Sequence, residues 1–176
     1  MTQLLITRGL PGCGKTTYAR AWVAEDREHR ARVNRDDLRL MLDDGQFVKG
    51  VTEPRILAAR DAAVLSLLAK GVDTISDDTN LPQRTARDLA RLAKRTGAEL
   101  TVIDLTDVPL ATCLERNAAR TDKPPVPEAA IRGHARPLPR WPDVSAPAAR
   151  RTRSRRRRVG AVRAKARHAE GRPGRH

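Results

Sequence analysis

As far as residue 134 the apolar positions follow two alternating rhythms, and beyond it they follow neither. Short runs of strand length occur at Gln3–Arg8, Arg32–Asn34, Val72–Ser76 and Leu100–Asp104. Helical spacing fills the intervals. Thr16–Glu25 carries an apolar stripe of Ala19, Trp22 and Val23, which makes Trp22 a core residue rather than a base platform. Asn34 is a good N-cap, Asp36 and Asp37 suit a first helical turn, and Leu38, Met41 and Leu42 are expected to face inward. After a loop at Asp43–Val51, a long helix runs from near Thr52, with Pro54 in its first turn, to Gly71. Ile56, Ala59, Ala63, Val64 and Leu67 mark its inner face. Further helices are predicted from Pro82 to Thr96 with Gly97 as the stop, over Val108–Ala119, and over Glu128–His134.

Strands that alternate with helices predict an α/β fold with a parallel sheet and helices on both faces. In such sheets ligands gather at the carboxyl ends of the strands. The segments Gly9–Thr16, Asn34–Asp37 and Asp77–Asn80 each follow a strand, so all three should open on one rim. No internal repeat is visible.

Charge divides the chain at the same place as the pattern. Met1–Gly133 holds 21 Lys and Arg against 19 Asp and Glu; His134–His176 holds 14 against 2. The first part, residues 1–134, reads as one near-neutral domain with a real core. The second, residues 135–176, is a basic Arg/Pro-rich tail with few large apolar residues, and disorder is expected there. It reads either as a salt-sensitive tether for nucleic acid or as the product of a shifted frame in a GC-rich gene. The cysteines Cys13 and Cys113 have no framework spacing, and the chain shows no signal peptide or membrane span. A reducing, cytoplasmic setting without disulfides is expected. The oligomeric state is not legible.

The chemistry starts at Gly9–Thr16, G-L-P-G-C-G-K-T, which satisfies G-x-x-x-x-G-K-[S/T] at every fixed position. Glycines let successive backbone N–H groups converge on one anion, and the helix N-terminus that follows favours the same charge. Lys15 supplies a cation for the β- and γ-phosphates of ATP, and Thr16 a hydroxyl for Mg²⁺. Gly9, Gly12, Cys13, Gly14 and Thr17 complete the nucleotide side, and the fold expectation becomes a P-loop NTPase-like sheet. Asp36 and Arg39 lie three apart at a helix start and can share a face. The carboxylate can take the proton of an attacking hydroxyl while the guanidinium holds an anion on the acceptor; alternatively both only serve the helix terminus and solvent. Asp77 and Asp78 end a strand, where they can face a metal or cap the next helix. Arg116 and Arg120 sit where a lid could reach the transferred phosphate, or where a basic last turn offsets the helix dipole. Arg84, Arg87, Arg91, Lys94 and Arg95 read as a solvated face.

Together these stretches resemble the polynucleotide 5′-hydroxyl kinases, as in bacteriophage end-healing enzymes. The resemblance lies in G-L-P-G-C-G-K-T-T-Y-A-R (Gly9–Arg20), V-N-R-D-D-L-R (Val33–Arg39), I-S-D-D-T-N-L (Ile75–Leu81) and R-N-A-A-R-T-D-K-P-P-V-P (Arg116–Pro127). It implies that Lys15 and Thr16 meet the ATP phosphates and the metal. It makes Asp36 the general base, and Arg39 the grip on the phosphate beside the acceptor nucleoside. Arg35 and Asp78 then lie on the substrate side, Asp78 as the acidic residue after the third strand that positions a metal or an arginine, while Arg120, with Arg116, is the lid cation on ATP. The D-x-D-G-T motif of the phosphatase domain found in phage relatives does not occur, so removal of 3′-phosphates is not predicted. From Arg136 onward the resemblance stops.

The expected activity is ATP- and Mg²⁺-dependent phosphorylation of 5′-hydroxyl ends of DNA or RNA, with no membrane partner. The rivals are a kinase of a small hydroxyl compound and an ATP-binding nucleic-acid-binding protein without kinase activity. With only Tyr18, Trp22, Phe47 and Trp141 as aromatics, recognition should rest mainly on phosphate contacts, with little sequence preference.

Overall fold

In the computed structural model, residues 1–48 and 50–135 are described. The expectations for the basic tail and for Trp141 lie outside them. The elements run β1 (Gln3–Arg8), α1 (Lys15–Glu25), β2 (Arg30–Val33), α2 (Arg35–Asp43), α3 (Thr52–Ala69), β3 (Asp73–Ser76), α4 (Gln83–Thr96), β4 (Glu99–Asp104), α5 (Leu110–Ala118) and α6 (Glu128–His134). The strands form one parallel sheet in the order β2-β3-β1-β4. In its register Leu5 lies opposite Ile75 on one side and Thr101 on the other.

This order makes a switch point. The connection leaving β1 passes over β3 to reach β2, whereas the one leaving β3 passes over β1 to reach β4. The loops after β1 and β3 therefore diverge and leave a crevice at their carboxyl ends, where α/β sheets take ligands. Period-two alternation in β1 supplies both layers. Leu4 and Ile6 join Val64 and Leu68 of α3 and Leu89, Leu92 and Ala93 of α4. Leu5 points the other way, to Ala19, Trp22 and Val23 of α1. A third apolar cluster is built from Leu10 and Cys13 of the phosphate loop, Leu81, Cys113 and Ile131. It ties α5 and α6 to the ligand rim.

Two local expectations need correction, and one of two open alternatives falls away. Met41 and Leu42 do not face inward. They are 71% and 48% exposed, and of the α2 apolar residues only Leu38 reaches the core cluster. The helix has nine residues and its inner stripe is one residue wide, so periodicity alone marks more apolar positions than its neighbours can cover. The second strand begins two residues earlier than expected and ends at Val33, because Asn34 leaves the sheet to cap α2. Asp77 and Asp78 do not cap α4, whose N-cap is Pro82 with no side-chain bond. Among the described residues no helix is long and apolar enough to cross a membrane.

Candidate active site: a cleft shared by the phosphate loop and an acid–guanidinium pair

The phosphate loop leaves β1 and folds back against the loop after β3, where the Gly9 N–H donates to the Thr79 carbonyl at 3.1 Å. Its glycines are needed for two separate reasons. Gly12 has φ +84°, and a Cβ there would collide with the carbonyl oxygen of Cys113; the loop lies directly against α5. Gly14 has φ +101° and open space where a Cβ would sit, and as N-cap it offers α1 no side-chain cap. The Lys15 Nζ donates to the Leu10 and Gly9 carbonyls at 2.7 and 3.1 Å, which holds the ammonium inside the curl of the loop. Burial pulls its pKa below the ordinary lysine value, with Cys13 and Asp77 acting against the shift. Cys13 and Cys113 are both buried free thiols.

Across the same cleft, the Asn34 side chain accepts the backbone N–H groups of Asp36 and Asp37 at 2.9 and 3.1 Å and fixes the start of α2. Cap formation explains Asn34 and the placement of Asp36, and it leaves the Asp36 carboxylate for other partners. Arg39 donates to Asp36 Oδ1 at 2.7 Å, and Lys123, from the segment after α5, approaches Asp36 Oδ2 at 3.4 Å. Partial burial works against the charged form of Asp36. The Arg39 bond and the Lys123 charge outweigh it, so the carboxyl sits below the usual aspartate range. Arg39 is gripped on its other side by Glu53 Oε1, through Nε at 2.9 Å and through its other terminal nitrogen at 2.6 Å. Glu53 also lies 3.9 Å from Arg35.

Asp78 is buried and turned to Arg35. It accepts the Arg35 backbone N–H at 2.9 Å and pairs with its guanidinium at 3.1 Å. Burial raises its pKa, and Arg35 opposes the rise. Asp77 is 1% exposed. Arg32 stands 3.0 Å from it, but neither carboxylate oxygen has a hydrogen bond among the described residues. On the remaining wall, Asn117 exchanges two hydrogen bonds with the backbone of Val126 and closes the segment that carries Arg120 and Lys123. Arg120 pairs with Asp122 at 3.3 Å.

Lys15, Thr16, Thr17, Asp36, Arg39, Asp77, Arg116 and Arg120 all line one cleft of about 1550 Å³. Arg35, Asp78, Gly12 and Gly14 line it too, while Gly9 and Cys13 sit in the loop beneath. By contrast, the basic residues of α4 are exposed, and Arg84 and Arg91 pair with Asp88 of their own helix. Glu53, Phe47 and Lys123 also line the cleft and were not picked out by the sequence reading. Their partners lie 14 and 87 residues away for Glu53 and Lys123, and no local pattern links such positions. The open space at Gly14 and the buried ammonium of Lys15 fit a nucleoside triphosphate, and Asp77 Oδ1, which has no hydrogen bond among the described residues while Oδ2 meets Arg32, fits its cation.

Comparison with known proteins places the chain. The AAA domain family matches residues 4–138. The chain belongs to this family. Its motif resemblance to polynucleotide kinases is borne out by two relatives. One is a protein of Autographa californica nuclear polyhedrosis virus, provisionally named a bifunctional polynucleotide kinase/RNA ligase. It is 29% identical over 137 residues, which cover 70% of this chain and 19% of the viral protein. The other is a chain of the Pnkp1/Rnl/Hen1 RNA repair complex, 31% identical with a TM-score of 0.66, covering 76% of this chain and 43% of that one. The chain thus spans less than half the length of either relative. Kti12 of Chaetomium thermophilum, solved with ADP-AlF3, is 24% identical with a TM-score of 0.58, covers 74% of this chain and 77% of its own, and shares the fold. The fold is that of the nucleotide-binding P-loop kinases.

Proposed function

We propose that the protein transfers the γ-phosphate of ATP to the 5′-hydroxyl end of DNA or RNA. The observation that carries this reading is the single cleft lined at once by Lys15 and by the Asp36–Arg39 pair, whose charged atoms are 2.7 Å apart. Phosphoryl transfer asks a protein mainly for positioning and charge stabilisation. Lys15 neutralises charge on the β- and γ-phosphates, and Arg120 and Arg116 do so from the opposite wall. Asp36, kept ionised by Arg39 and Lys123, accepts the proton of the attacking hydroxyl. Arg39 is held by carboxylates on both sides, so its guanidinium is preorganised to take the phosphate next to the acceptor nucleoside. Arg35 is fixed by Asp78 and Glu53 and adds a second cation on that side. Thr16 and Asp77 are the residues that would hold Mg²⁺ or its waters, and the ion, when bound, supplies further positive charge at the phosphates.

The test is label transfer from γ-labelled ATP to a 5′-hydroxyl oligonucleotide, run beside a panel of sugars and other small hydroxyl compounds. Labelling of the oligonucleotide alone is expected. Labelling of a small compound with none on the oligonucleotide overturns the polynucleotide reading.

A further inference from the structure

We propose that Phe47 is a stacking platform for the base of the acceptor's 5′-terminal nucleotide, an inference that rests on the polynucleotide reading above. Phe47 lies in the loop between α2 and α3 and lines the same cleft as Asp36 and Arg39. It is 61% exposed in a chain with four aromatic residues. The other aromatics described do different work. Trp22 packs on Leu5, Ala19 and Ile75 with Arg30 over its ring at 4.7 Å. Tyr18, 38% exposed, also lines the cleft, but from α1, the helix that follows the phosphate loop, whereas Phe47 stands beside Arg39.

The loop that carries the ring is tied down on both sides of it. Beyond it, the Val48 N–H donates to the Thr52 hydroxyl at 2.9 Å and the Val51 N–H to the Val48 carbonyl at 3.1 Å. Before it, the Gln46 N–H donates to the Asp43 carbonyl at 2.9 Å and the Gly45 N–H to the Arg39 carbonyl at 3.1 Å. Against the ring, the Arg39 guanidinium lies 5.6 Å from the centroid, within cation–π range. A large apolar face left in water beside a cleft of charged side chains has a flat, apolar ligand as its natural complement. The sequence of groups along the wall is then a carboxylate for the hydroxyl, a guanidinium for the adjoining phosphate and a π-face for the base. These are the parts of a terminal nucleotide. A small sugar or alcohol has no use for the third. Since every base offers a π-face, this platform adds affinity without strong sequence preference.

The test measures acceptor and ATP KM for wild-type full-length protein and for Phe47→Ala and Phe47→Trp. Two 5′-hydroxyl oligonucleotides are used, identical except that one has an abasic 5′-terminal residue. Wild type should show an acceptor KM about 5- to 150-fold higher on the abasic end, the span expected of one base–aromatic stack. Phe47→Ala should show that rise on the normal end, little further rise on the abasic end, and an unchanged ATP KM; Phe47→Trp should restore wild-type behaviour. The inference fails if Phe47→Ala keeps the wild-type acceptor KM, or if its abasic penalty equals that of wild type. If wild type labels neither oligonucleotide while still binding ATP, the polynucleotide reading itself is wrong and this inference goes with it. Thermal unfolding of Phe47→Ala close to wild type confirms that an exposed ring, not the fold, was removed.

Discussion

Glu53 is the residue whose removal most directly tests how the acceptor side is built. Its Oε1 receives both Nε and a terminal nitrogen of Arg39, at 2.9 and 2.6 Å. The two side chains are 19% and 14% exposed. A hydrogen bond to a charged group contributes about 1.5–3 kcal/mol. One oxygen shared by two donors counts as one strong contact rather than two, and partial exposure lowers it further. The expected loss for Glu53→Ala is about 1–2 kcal/mol, or about 5- to 30-fold in kcat/KM for the 5′-hydroxyl acceptor. Arg39 then has Asp36 as its remaining carboxylate and closes on it, which also weakens the base. Glu53→Gln keeps a neutral oxygen in place and should lose less. The ATP KM should stay within about twofold in both, since Glu53 does not touch the phosphate loop. Initial rates at varied acceptor and saturating ATP measure this. Wild-type acceptor kcat/KM in both variants would refute the claim that Glu53 holds Arg39 in its working position.

Other expectations are more local. Lys15→Ala should abolish transfer and weaken ATP binding, measured by calorimetry; transfer at a wild-type rate would remove Lys15 from the phosphate site. Lys123→Ala removes a charge that lowers the Asp36 pKa, so that pKa should move up toward the ordinary aspartate value. In the proposed reaction the ionised form is the base, so the acid limb of the kcat/KM profile should move to higher pH. The displacement should shrink in high salt, and an unmoved limb contradicts the contact. Gly12→Ala adds left-handed strain of about 1–2 kcal/mol and forces the Cys113 carbonyl to give way, for about 1–3 kcal/mol more. A clear fall in Tm is expected, and an unchanged Tm would show that the loop does not lie against α5.

Much of this was legible in the sequence because the decisive signals are local. Asn34 announces a cap through its own type and neighbours, Gly97 ends α4 in the left-handed conformation at φ +71°, and the phosphate loop is a continuous eight-residue pattern. The alternation of strand and helix then fixes which loops share a rim. What sequence could not give is who meets whom across that rim. Asp78 reads from its neighbours as a metal carboxylate or a helix cap, and only the family resemblance offers an arginine as its partner; in the fold it is turned to Arg35. Glu53 reads as an acid in a helix's first turn, yet it holds Arg39. Lys123 reads as one more cation, yet it reaches Asp36. Met41 and Leu42 show the converse limit, since an apolar stripe declares a preference for burial and not the presence of a neighbour.

The account depends on one cleft that binds a triphosphate and also presents a base to an alcohol. Asp36→Ala, assayed on a single preparation for ATP binding and for label transfer to a 5′-hydroxyl oligonucleotide, tests that most directly. The account predicts ATP affinity close to wild type with transfer abolished. Transfer near the wild-type rate would contradict it.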